Sequence, residues 1–436
     1  MRKIMTATMM LLALACNTAK DNVTTGNNLD SLAQDYVRLG LTIGKYDGDF
    51  TDAYYGPDSL KPDTVKLPQF PKDSLLAQVA GLQQKLAVFA ATGMADSIQA
   101  RAKWLNSQLT AFARRIRIFS GELAAFDEEA KDLFSVTAPV YSKAYYDSLL
   151  LQLGSVLPGN GSVAERFNKM ASKFIIPTNK IDTIFKTAIA EARKRTLAHY
   201  NLPQGESFTL EYVTGKPWSG YNWYQGNYKS LIQVNTGIPI FIERAIDLAC
   251  HEGYPGHHVY NMLLEKNLYR DKNMAEISFY PLFSPQSLIA EGSANYGIEM
   301  AFPGREQEEY VKTVLAPLAG LDTAGLSAYF AALSIKAKLA YARNEAARGL
   351  INNQLNEQQV LQWLTGYLMM PDKVAATYLN FIKKYRSYVI NYNYGQDLVK
   401  QYIALKGGTE ANPAKRWQLF EWLLSNEVIP SELLAQ

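Results

Sequence analysis

Histidine and cysteine are scarce in this chain: 436 residues carry four of the first and two of the second. So few cysteines exclude a disulfide-built scaffold, and stability has to come from a packed core. Charge is not in excess in either direction, with 44 Lys and Arg against 41 Asp and Glu. Without a basic surplus or a concentrated basic stripe, the composition points away from a nucleic-acid partner. Low-complexity tracts, internal repeats and runs of like charge are missing too, which argues against disorder and repeat architectures. What is present, 48% hydrophobic, 19% charged and 12% aromatic residues, is the composition of a globular protein with a sizeable core.

The amino terminus reads as an address. Arg2 and Lys3 precede an apolar stretch over 4–15, interrupted only by two threonines. That stretch is too short to span a bilayer and fits the hydrophobic region of a secretory signal. It ends in Leu12-Ala13-Leu14-Ala15-Cys16, which resembles a bacterial lipoprotein cleavage box. The resemblance implies a signal over 1–16, lipid on Cys16, and residence in the cell envelope through the lipid anchor. Two or more acyl chains make such an anchor stable. The polar, turn-rich stretch that follows, to residue 30, reads as a tether. Loss of Arg2 and Lys3 leaves 42 basic against 41 acidic side chains. Cys250 is then without an intramolecular partner, and reads as a small buried residue.

Beyond residue 30 the pattern is mostly helical, and 31–436 is expected to form one domain. Over 74–120, Leu75, Val79, Leu82, Leu86 and Phe89, then Trp104, Leu105, Leu109, Phe112 and Ile116, recur at helical spacing around a break at Gly93. Further helices are expected near 122–133, 145–153, 163–173 and 181–199. The 206–235 segment differs, with alternating and β-branched or aromatic residues flanking Gln225-Gly226-Asn227, so it predicts a small antiparallel sheet that includes a hairpin. After Pro239 helical spacing returns. Helical lobes over 31–200 and 238–436 are therefore expected around the sheet, with a central cleft.

Three of the four histidines fall in His251-Glu252-Gly253-Tyr254-Pro255-Gly256-His257-His258. A zinc hydrolase commonly carries H-E-x-x-H on one helix, so that two imidazoles one turn apart reach one ion and the glutamate serves as base. Removing Pro255-Gly256 would restore that pattern, which therefore reads as interrupted by two residues. Pro255 cannot continue a regular helix. In an unbroken helix His257 would lie about 9 Å along the axis from His251, against about 6 Å for the usual spacing. A bulge or kink must shorten the gap. His251 and His257 are the expected ligands, with His258 either a supporting residue or the second ligand itself.

A catalytic zinc usually takes a third protein ligand. Glu291 is the best candidate, on a helix opened by Ser284 and Pro285, with Glu299 as rival. Asn295, one turn on from Glu291, could orient a ligand. One Zn2+ and a metal-activated water, with Glu252 as base, follow from this set.

His-Glu-Gly-Tyr-Pro-Gly-His-His followed by Glu-Gly-x-Ala-x-Tyr resembles the bacterial "domain of unknown function 885" proteins, many of them lipoproteins grouped by motif with zincin metallopeptidases. The resemblance implies a mostly helical zincin-like fold, with Glu252 as base and Glu291 as ligand. It is specific over about 221–300. Gly253 stands where the family usually has Ala, and Ser293 where it has Trp. The 350–356 segment lacks a histidine common there, and Tyr394-Gly395-Gln396-Asp397 replaces a Pro-Gly-Gln-Ala-like element.

Among the clustered tyrosines, Tyr388, Tyr392 and Tyr394 are candidates for substrate binding or for donating to an oxyanion. Arg386 is a candidate for a substrate carboxylate. An extended peptide could pair with the strand near residues 231–234. His199 reads as a solvated or capping residue. These features predict a zinc metallopeptidase for oligopeptides. The alternatives are a metal-dependent amidase acting on envelope material, and a binding lipoprotein whose metal is structural.

Overall fold

The computed structural model describes residues 13–434 apart from Thr92 and Pro217, with side chains from residue 28 onward. Of the signal expected over 1–16, residues 1–12 and the Cys16 side chain lie outside the described residues.

Helical periodicity translates directly into packing. Lys72–Ala87 buries Leu75, Val79, Leu82 and Leu86, and Asp96–Phe119 buries Trp104, Leu105, Leu109, Phe112 and Ile116 on the face that meets it. Gly93, at a positive φ of 100°, sits in the break between them. The expected helices follow as Phe126–Phe134, Lys143–Val156, Val163–Ala171 and Ile181–Leu197. The stretch expected to be a loose tether is instead continuous with the helix Ala13–Gly44. That helix is anchored where Leu29, Leu32, Ala33, Tyr36 and Val37 are buried, and extending an anchored helix costs far less than starting one. None of the described helices is long and apolar enough to cross a membrane.

Among the described residues five short strands accompany the helices: β1 (Thr51–Tyr54), β2 (Ser207–Val213), β3 (Gly220–Gly226), β4 (Lys229–Asn235) and β5 (Phe279–Pro281). β3 and β4 form the expected antiparallel hairpin, turning through Asn227 and Tyr228, both at positive φ. β2 pairs with the other edge of β4, in parallel, so the order is β2-β4-β3. A substrate therefore cannot add to β4 near residues 231–234, because both its hydrogen-bonding edges are taken. β1 and β5 make a separate two-stranded ribbon.

The helix Pro285–Ala301 runs through the middle of the molecule. Ser284 caps it by accepting from the Ser287 amide, and nearly all of its faces are buried. Such a helix must be apolar or small-residued all round. Ala290, Gly292, Ser293 and Ala294 meet that need, and Gly292 lies directly against Gly395 of the helix Ile390–Leu405. One continuous hydrophobic core extends from Leu29 to Leu433.

Candidate metal centre

The two-residue interruption is absorbed by a change of helix type. Ile242–Leu248 is α-helical, Ala249–Gly253 widens into a π-helical turn, and a new α-helix starts at His257. Tyr254 N–H donates to the Ala249 carbonyl (2.9 Å) and Gly256 N–H to that of Cys250 (2.8 Å). π-Helical turns recur at functional sites, and here the turn ends one helix at Tyr254, in extended conformation, before the next begins. Gly256 is required: a Cβ there would stand 2.0 Å from the His251 carbonyl oxygen. The result brings the His251 and His257 ring centroids to 4.7 Å, with the planes at 89°.

Glu291 completes the group. Its Oε2 is 3.5 Å from His251 Nε2 and 3.6 Å from His257 Nε2, and one donor atom from each of the three residues lies within 4.8 Å of the others. Among the described residues, Glu291 Oε2 is buried without a hydrogen-bond partner. A buried carboxylate oxygen facing two imidazole nitrogens is costly unless an imidazole carries a proton or a metal cation sits between them. The donor set fits a single divalent ion, and two nitrogens with one carboxylate suit zinc.

Neighbouring residues fix the orientation of these groups. Asn295 donates its amide to the Tyr392 carbonyl oxygen (2.7 Å), leaving Oδ1 to accept from His251 Nδ1–H at 3.0 Å. That bond leaves the Nε2 lone pair of His251 facing Glu291. Tyr388 donates to Glu291 Oε1 at 2.9 Å. Burial works against the Glu291 carboxylate, but His251 and His257 hold its pKa far below the usual range. Burial likewise opposes the charged form of His257, yet Glu291, with Glu252 and Asp52 behind it, raises that imidazole to about 9.

Glu252, beside His251, is buried in the π-helical turn. Its side chain faces Gly220 of β3, where a Cβ would lie 3.0 Å from Glu252 Oε1, and its carbonyl oxygen accepts from the Asn222 amide at 2.6 Å. The carboxylate itself is not among the three clustered donors.

His258 is not part of the group. It is fully buried and turned to the sheet, with Nδ1 2.8 Å from Ser230 Oγ and Nε2 3.1 Å from Glu206 Oε2. Tyr254 and Arg193 donate to the same carboxylate. Burial would raise Glu206, but His258, Tyr254 and Arg193 lower it to about 2. Glu299 is also elsewhere, paired with Lys400 and Arg416.

The tyrosines divide. Tyr388 is committed to Glu291, whereas Tyr392 is half-buried with its ring 5.7 Å from that of Tyr388, and burial, with the Glu291 charge adding to it, pushes its phenol well up. Tyr394 is buried, and burial with the Asp397 charge raises its phenol. Arg386 does not face the site: its guanidinium grips buried Glu129, with Nε 2.7 Å from Oε2 and Nη2 2.8 Å from Oε1. Cys250 is fully buried, which pushes its thiol well up, and His199 stacks on Trp417 at 4.3 Å.

Asp52 carries no sequence motif, yet it belongs to these surroundings. It accepts from the Tyr221 hydroxyl. Burial pushes its pKa up to about 6, against the pull of Tyr221 and His257 and with the push of Glu291 and Glu252.

No family model matches the chain, and no curated protein matches it. Among solved structures, its fold is similar to that of a candidate lipoprotein from Colwellia psychrerythraea, at 14% identity and a TM-score of 0.51. That likeness covers 83% of this chain and 65% of the neighbour, so the chain spans less than two thirds of that protein's length. A candidate lipoprotein of unknown function from Shewanella oneidensis matches at 12% identity and TM-score 0.46, covering 84% of this chain and 73% of that one. An M32 carboxypeptidase from Deinococcus radiodurans R1 matches at 12% and 0.40, covering 94% of each.

Proposed function

We propose that the chain is a zinc-dependent metallopeptidase of the cell envelope, with His251, His257 and Glu291 as ligands and Glu252 as base. The observation that carries this reading is the unpartnered, buried Glu291 Oε2 facing two imidazole Nε2 atoms, next to a glutamate that is free of the cluster. A structural metal would not need that glutamate. The motif resemblance at 251–258 and 291–296 supports the same reading.

A bound zinc ion would supply Lewis acidity, polarising the scissile carbonyl and acidifying water. The chain's own groups divide the remaining work. Glu252 takes the proton of the attacking water and returns it to the leaving amine. Asn295 holds the His251 tautomer, and Tyr388 holds Glu291 in place. Tyr392 is the phenol available to donate to the developing oxyanion. The donor side chains are only 11–14% exposed, which favours thin, extended oligopeptides over folded proteins. Since β4 is enclosed, β2 and β3 are the edge strands, and β3, whose Gly220 faces Glu252, is the one such a peptide would meet. Anchoring through Cys16 rests on the 1–16 sequence pattern.

The test is metal content together with peptide hydrolysis, using Glu252→Gln as the control. One zinc per chain and hydrolysis that falls at least about a hundredfold in the variant are expected. A protein that takes up no metal, or a variant as fast as the parent, rules the reading out.

A further inference from the structure

Asp52 is the extra residue of a β-bulge. Thr51 pairs with Pro281 and Ala53 with Tyr280, so β1 advances two residues while β5 advances one. A bulge takes one residue out of the ladder and re-aims its side chain, a device found beside active sites. Here the re-aimed carboxylate crosses to β3 and accepts from the Tyr221 hydroxyl. Tyr221 stands between Gly220, which faces Glu252, and Asn222, which holds the Glu252 carbonyl. On the other flank, Tyr280 begins a hydroxyl chain through Ser287 and Tyr388 to Glu291. Both sides of the bulge thus lead to the metal centre, and the charges of His257, Glu291 and Glu252 are felt at Asp52.

Among the described residues the Asp52 side chain has Tyr221 as hydrogen-bond partner and joins no ion pair. It is half-buried rather than sealed. The Tyr221 hydroxyl takes one carboxylate oxygen, and its ring lies 4.5 Å from that of Trp223, which is 43% exposed. A carboxylate held by a phenol and joined to no cation is the chemistry that receives an ammonium group.

We propose that Asp52, with Tyr221, binds a primary ammonium group of the substrate, so that the centre selects peptides with a free amino group near the scissile bond. This rests on the peptidase reading. The ammonium could come from the peptide's amino terminus or from a lysine side chain, and the experiment separates the two.

Three peptides of common sequence are compared: one with a free amino terminus and no lysine, its acetylated form, and an acetylated form carrying lysine. Binding is measured by calorimetry on zinc-loaded Glu252→Gln protein, and hydrolysis on the parent. A peptide with a free amine should bind about tenfold or more tightly than the acetylated lysine-free peptide. Whichever amine gives the gap names its source. In Asp52→Asn the gap should close, with circular dichroism confirming the fold; a merely structural Asp52 would change stability and leave the gap. Equal affinities for all three peptides overturn the proposal without need of any Asp52 variant, and so does a gap that persists in folded Asp52→Asn. Tyr221→Phe, which keeps the carboxylate, should narrow the gap without abolishing it. A gap in binding with no hydrolysis of any peptide would leave the ammonium site standing and the peptidase reading refuted. Hydrolysis with equal binding would do the reverse.

Discussion

Gly292 and Gly395 meet backbone to backbone: a Cβ on Gly292 would stand 2.4 Å from the Gly395 carbonyl oxygen. The contact lets two helices approach closely enough for Tyr388 and Tyr392 to reach Glu291 and Asn295.

Gly292→Ala should therefore destabilise the protein by roughly 1–3 kcal/mol, because backbone cannot yield as a flexible side chain would. It should also weaken metal binding, since the groups that orient the ligands are displaced. Urea unfolding with and without zinc measures both effects. A variant as stable as the parent would mean that the helices have room to spare.

His257 and His258 are neighbours with opposite expected outcomes. His257→Ala should abolish stoichiometric metal binding. His258→Ala should keep it, while losing about 1–3 kcal/mol of stability as Ser230 and Glu206 are left without their partner. Asn295→Ala should keep the site but lower its affinity about 10–100-fold. Competition against a chromophoric chelator ranks the three variants, and metal lost from His258→Ala but retained by His257→Ala would reverse the ligand assignment.

Glu243 supplies a pH dependence away from the metal. Burial, with Asp247 adding to it, raises its pKa from 4.5 to about 7, although Tyr329 donates to Oε1 at 3.0 Å. Between those values the folded protein holds a proton that the unfolded chain has released, so stability falls as pH rises through the interval. Glu243→Gln should remove that part of the slope and be the more stable protein at pH 8, by on the order of 1–3 kcal/mol. Urea midpoints taken from pH 5 to 8 check this, and parallel curves for parent and variant would contradict it.

Different parts of the molecule were legible in the sequence to different degrees. Leu75, Val79, Leu82 and Leu86 announce their helix because local spacing alone selects the buried face. The meeting of His251 with His257 is legible because a shared ion demands those residue types close together, and Pro255 and Gly256 signal that the helix must deform. Arg386 could not be read correctly, since its partner Glu129 is distant in the chain and only the fold brings them together. The role of residues 231–234 failed for a topological reason: nothing local says that β2 closes the second edge of β4. Asp52 was silent because a bulge in a four-residue strand has no periodicity to betray it.

The restart of the helix at His257 has a mechanical consequence. His251 ends one rigid segment, His257 begins the next, and Glu291 belongs to a third that threads the core. An ion held by all three would act as a rivet, tying the two segments on either side of residues 254–256 to each other and to the helix Pro285–Ala301. Loading would then protect the backbone amides on both sides of Gly256 against exchange as well as arming the centre, because an opening at the joint would first have to release the ion.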